Sequence, residues 1–176
     1  LAHVLLLKRL LVRRARLHIV EVIGLGHGLL LGILGQRLLQ EGQQLLAQGD
    51  RAGAAQVLAR ARDEQDTVLA AHALIECYDL VGSFNNMTGL NCSIAPHDDI
   101  FGFFAGHPSS RNPLRDYLAD GWRTLSELML LLEAVDQPLL KTPCVLEFAS
   151  GHGRFTRHLV KALGADRVVV SDVVPD

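Results

Sequence analysis

From position 144 to position 172 the chain reads CVLEFASGHGRFTRHLVKALGADRVVVSD. An apolar run closes on an acid, small residues follow, a stretch with apolar residues at helical spacing comes next, and a second apolar run closes on another acid. Pro143 precedes the first run and small residues end it, so the pattern predicts a buried parallel strand over Cys144 to Phe148. Ala149, Ser150, Gly151, His152 and Gly153 form the predicted turn. From about Arg154 a helix is expected, with Phe155, Leu159, Val160 and Leu163 on one face and Arg154, Arg157, His158 and Lys161 mostly elsewhere. Gly164 is the expected C-terminal cap. Val168 to Val170 then predict a second strand that ends at Ser171 and Asp172. The sum is one βαβ unit.

Upstream the period stays helical. Asn112 and Pro113 make a helix start, as cap and preorganised first residue. Leu114, Leu118, Leu125, Leu128, Met129, Leu132 and Val135 then recur at helical spacing to about Asp136, before Pro138 halts the element. Residues 81–112 lose periodicity and gain Gly, Asn, Pro and aromatics, which predicts a loop-rich connector. Residues 36–80 read as helical, with a turn at Gly49-Asp50 between helices Gln36 to Gln48 and Arg51 to Arg62. Leu38, Leu39, Leu45 and Leu46 give the first helix an apolar face, and Ala54, Ala55, Leu58 and Ala61 give the second a small one. The expected organisation is therefore an apolar basic segment 1–35, a helical hairpin or extension 36–80, a connector 81–112, and the beginning of an α/β domain at 113–176.

Charge and cysteine content narrow the classes. Residues 1–37 carry six basic side chains against Glu21, a net of +5, while the remaining 11 basic and 18 acidic residues net −7. The main body thus has no basic footprint for nucleic acid. Cys77, Cys92 and Cys144 are odd in number and widely spaced, which suggests neither a disulfide framework nor a zinc knuckle and fits a reducing cytoplasm. In the first segment, Ile19 to Gly28 imitates a strand and glycine loop, but no second strand with a terminal acid follows. Gly24, Gly28 and Gly32 fall four apart, a spacing that packs transmembrane helices. The uninterrupted apolar run there is far shorter than the roughly 20 residues a span requires, so membrane association is not expected.

The chemistry concentrates around the glycine turn. Glycines let the backbone adopt φ > 0 and let a ligand approach without meeting a Cβ. In an open α/β sheet ligands bind at the carboxyl edge, where both terminal acids, Glu147 and Asp172, would stand. Asp172 follows Gly153 by 19 positions, close to the spacing of roughly 20 at which an acid reaches a ribose diol. A dinucleotide fingerprint would need a third glycine where Thr156 stands. Val145-Leu146-Glu147-Phe148-Ala149-Ser150-Gly151-His152-Gly153 instead resembles the first motif of class I S-adenosylmethionine-dependent methyltransferases. The resemblance implies the start of a Rossmann-like sheet and S-adenosylmethionine as cofactor. By resemblance, Ala149 to Gly153 wrap its methionine part, Glu147 helps hold that end and Asp172 takes the ribose, with Phe148 and Val173 counted among the cofactor-binding residues. Ala149 stands where the family has its first glycine, and alanine at φ > 0 costs energy, which predicts an altered turn.

The acceptor and the catalytic residues are not indicated, since the acceptor-binding part of such domains lies after the fourth strand. The chain is accordingly expected to be part of a longer enzyme. An NAD-type Rossmann oxidoreductase would use the same Asp172. Leu45 to Leu58 resembles a single tetratricopeptide-type hairpin, so a non-catalytic helical interaction module, with protein contacts through this region, is the other alternative. His97, Asp98, Asp99 and His107 lack metal-ligand spacing, and no metal is assigned. His107, Phe101, Phe103 and Phe104 are candidates to cover the cofactor mouth, and Arg111, Arg115, Tyr117 and Trp122 to lie near the cofactor carboxylate or substrate.

Overall fold

The computed structural model describes residues 34–64 and 67–173, so the glycine pattern and membrane question of segment 1–35 fall almost wholly outside the described residues. The chain divides into two compact units between Ala70 and Ala71.

In the first unit, α1 (34–47) and α2 (Arg51–Glu64) form the predicted hairpin. Gly49 takes a left-handed φ of 85°, and the Asp50 carboxylate accepts the Gly53 N–H at 2.9 Å, which caps α2. Ala54, Leu58 and Ala61 are fully buried and Ala55 nearly so. The two helices approach closely at Gly42, where a Cβ would stand 2.5 Å from Leu58 Cγ.

The second unit contains α4 (Leu80–Thr88), α5 (Asp99–Gly106), α6 (Pro113–Ala134), β1 (Val145–Phe148), α7 (Thr156–Leu163) and β2 (Val168–Ser171), and α3 (Thr67–Cys77) straddles the division. The two strands pair in parallel, with Val145 opposite Val168 and Glu147 opposite Val170. Among the described residues the elements are thus α/β, mainly helical with one two-stranded parallel sheet.

Two expectations are corrected here. The predicted connector 81–112 holds α4 and α5. The helical state of α5 rests on partners: Asp98 caps it by accepting the Phe101 N–H at 3.0 Å, and Phe101 is fully buried. The strands are also less buried than predicted. Cys144 is exposed and lies outside β1. Leu146, Phe148 and Val169 are 61%, 78% and 51% exposed, because the helices of this unit cover the opposite face, that of Val145 and Val168.

That covered face builds one core cluster. Leu125, Leu139, Leu159 and Leu163 are buried together, with Leu128, Met129, Leu132, Val145, Phe155 and Val168 packed against them. The start of α6 follows the sequence closely: Pro113 is its first residue and the Asn112 side chain accepts the Arg115 N–H at 3.0 Å. α7 begins at Thr156, two residues later than its periodicity suggests. Its His158 is buried rather than outward, because Gly121 on α6 lets α7 come close. A Cβ at Gly121 would stand 2.5 Å from the Arg154 carbonyl oxygen and 2.8 Å from His158 Nε2. Burial pushes the His158 imidazole below its ordinary value, and Arg157 adds to the shift, while the Leu118 carbonyl opposes it. His158 Nε2 has no hydrogen-bond partner.

Among the described residues no single helix is long and apolar enough to cross a membrane; only the bent pair α3 and α4 together meets the length and composition.

Gly121→Ala should decide how firmly this contact is fixed. Helix propensity favours alanine by about 1 kcal/mol, but a clash with backbone costs about 1–3 kcal/mol or more. A net destabilisation is expected in urea unfolding. A variant as stable as the parent would show that α6 and α7 separate freely.

Candidate functional site

β1 ends at Phe148, and the chain turns through left-handed residues before entering α7. Ala149, Gly151 and Gly153 have φ of 57°, 54° and 75°. Ala149 therefore adopts the conformation a glycine would take, and the turn is kept at a steric cost to alanine.

The turn is bonded to the end of β2. The Ser150 N–H donates to the Ser171 carbonyl at 3.2 Å. The Gly151 N–H donates to Asp172 Oδ2 at 2.6 Å, and the Val173 N–H donates to Asp172 Oδ1 at 2.7 Å. The second-strand acid and the glycine loop, far apart in sequence, thus meet at the carboxyl edge of the strand pair. Nothing lies within 4 Å of where a Gly151 Cβ would be, so the backbone there is open to a ligand. Phe148, Ala149, Gly151, His152, Asp172 and Val173 are exposed, and Ser150 and Gly153 partly so. The arrangement is a shelf, not an enclosed pocket.

Glu147 occupies a different environment. It points to the covered face of the sheet and is half-buried. Burial raises its carboxyl above the ordinary value, and the Thr156 hydroxyl and the Arg154 guanidinium partly offset the rise. Neither Glu147 Oε2 nor Thr156 Oγ1 completes a hydrogen bond of normal geometry. The Thr156 effect is therefore one of proximity. Arg154 is itself anchored to Asp120 at 2.5 Å.

Arg157 is the functional-looking residue that sequence periodicity missed. Its Nε donates to the Gly153 carbonyl at 2.9 Å and its Nη2 to the His152 carbonyl at 3.2 Å. Its Nη1 donates to the Asn91 and Ser93 carbonyls at 2.8 and 3.1 Å. The guanidinium also stacks over the Tyr117 ring, 5.3 Å from its centroid. The only sequence signal was an arginine placed just after a glycine turn.

Beside the loop lies a hollow of about 480 Å³ that includes Asn91, His152, Gly153, Thr156, Arg157 and Lys161 among its lining residues. Glu147 and Asp172 do not border it. Several other candidates are redirected. Tyr117 is fully buried and donates to Asp98 Oδ2 at 2.6 Å, which removes it from a cofactor contact. Burial and Asp98 push its hydroxyl pKa far up. Phe101 is core, stacked on His72, and not a cover for the loop. Phe103 is exposed and packs against Phe104 and His107. Arg115 pairs with Asp116 at 2.6 Å, and Arg111 is exposed. Arg115 and Trp122 border a separate apolar cleft. Among the described residues no three His, Cys, Asp or Glu side chains cluster for a metal ion.

Compared with known proteins, the chain matches no family model, no curated protein and no solved structure.

Two measurements test the electrostatics and strain of the loop. Ala149→Gly should stabilise the fold by about 1 kcal/mol, since it relieves a left-handed alanine; a loss of stability would mean that the methyl group packs. For Glu147 the folded carboxyl keeps its proton above the ordinary value of 4.5, where the unfolded chain has lost its own. Folding stability from this group therefore falls as pH rises from 4.5 through the raised folded value. Glu147→Gln should gain stability relative to the parent on going from below pH 4.5 to neutral pH. Urea unfolding at both ends reads it, and a constant difference would deny the shift.

Proposed function

We propose that residues 113–176 are the cofactor-binding part of an S-adenosylmethionine-dependent methyltransferase with a Rossmann-like sheet. The observation that carries the reading is the bond from the Gly151 N–H to Asp172 Oδ2. It joins the glycine loop to the second-strand acid at the edge where α/β sheets take ligands.

The residues present suit that cofactor. Asp172 accepts the N–H groups of Gly151 and Val173, and its exposed place at the end of the second strand is where a ribose diol would meet it. The open backbone at Gly151 suits close approach of the methionine end, with Glu147 and Phe148 at the end of β1 beside it. The exposed Phe148 and Val173 side chains offer apolar surface on either side of the loop.

The bound cofactor would supply an electrophilic methyl group on a sulfonium. The chain's part is then positional: the loop orients the methionine end, Asp172 fixes the ribose, and Arg157 keeps the loop in place. Nothing in the site selects a particular acceptor, and the NAD alternative is separated by binding.

Calorimetry of the full chain should show binding of S-adenosylmethionine in preference to NAD. Asp172→Ala should weaken it by about 1–3 kcal/mol, the scale of a lost hydrogen bond to a charged group. Preferential NAD binding would overturn the cofactor assignment, and unchanged affinity in the variant would remove Asp172 from the site.

A further inference from the structure

A second hollow, between α4, α6 and α7, has a chemistry unlike that of the loop. It measures about 480 Å³, and Phe84, Leu90, Leu118, Trp122, Leu125 and Ala162 form its apolar wall. That size is in the range of small-molecule sites, with room for a chain of roughly ten carbons. Trp122 is 60% exposed, a large aromatic surface that a bound apolar chain would cover.

The ionisable residues at the cleft are all bases: Arg115, His158 and Lys161. Arg115 is held by the Asp116 carboxylate. His158 is buried. Lys161 forms no ion pair among the described residues. Its Nζ lies over Gly89, 2.6 Å from where a Cβ there would stand. Leu90 and Lys161 border the loop-side hollow as well, so the Lys161 side chain is shared by the two. Apolar walls, no lining acid and one lining cation outside any ion pair among the described residues complement an amphipathic anion.

We propose that this cleft binds an amphipathic carboxylate, its apolar chain lying against Phe84, Leu118, Trp122 and Leu125 and its carboxylate meeting the Lys161 ammonium. This site is independent of the cofactor reading and stands whether or not the chain binds S-adenosylmethionine.

Trp122 is the chain's single tryptophan, so its emission reports on the cleft alone. Decanoate, decanol and decyltrimethylammonium, each below its micelle concentration, would be titrated into the full chain, with calorimetry as a second readout. Decanoate should bind saturably, and more tightly than decanol by about fivefold, the ratio expected of one exposed ion pair. The cationic chain should bind weakest. Lys161→Met should reduce decanoate to the decanol level. Ala162→Phe, at an exposed helical position on the cleft wall, should abolish binding of all three, with circular dichroism checking its fold. Absence of saturable decanoate binding in both readouts would overturn the proposal. So would equal affinity for the three chains, or a Lys161→Met variant that keeps the preference for decanoate; this last test holds even if Ala162→Phe does not fold.

Discussion

The second unit is organised around the Arg157 guanidinium. It bonds the carbonyls of His152 and Gly153 in the glycine loop and those of Asn91 and Ser93 after α4. These segments are distant in sequence, and one planar fork with five donors joins them. The same guanidinium covers Tyr117, a contact worth about 1 kcal/mol. Tyr117 donates to Asp98, Asp98 caps α5, and α5 buries Phe101 against His72. A continuous line of polar and aromatic contacts therefore runs from the loop into the helical layer. Loss of Arg157 would free four carbonyls at once and remove the cover of a buried ring, so loop position and helical packing are one problem.

α6 is the surface on which this line is assembled. Its first half meets α5 through Tyr117, its middle meets α7 at Gly121, and its second half covers the strands through Leu125, Leu128, Met129 and Leu132. Gly121 sets the spacing, because backbone of the following segment occupies the place of a side chain. The close approach also leaves a buried imidazole that disfavours charge, and it holds Arg154 against Asp120 beneath the loop.

The two acids at the strand ends are differentiated by environment, not by residue type. Glu147 faces the covered side, where burial favours its neutral form, and it has a buried oxygen without a hydrogen-bond partner. Asp172 is exposed and accepts two backbone N–H groups. Of the two, Asp172 is therefore the acid exposed at the strand edge, while Glu147 stays half-buried on the covered face of the sheet.

Local chemistry determined much by sequence alone. The Gly49 turn and Asp50 cap, the Asn112 and Pro113 start of α6, the two short strands and the glycine loop follow from signals within a few residues, because turns, caps and periodicities are satisfied by near neighbours. The spacing of Asp172 from the loop was legible for the same reason, since a βαβ unit of this length returns the chain to one edge. Tertiary structure decided the rest. α4 and α5 are helical where Gly, Asn and Pro suggest loops, Tyr117 and His158 are buried, and Ala149 accepts a left-handed backbone. Tyr117 and His158 depend on partners distant in the chain, and the periodicity of one segment carries no information about which carbonyl or ring another segment will bring to it.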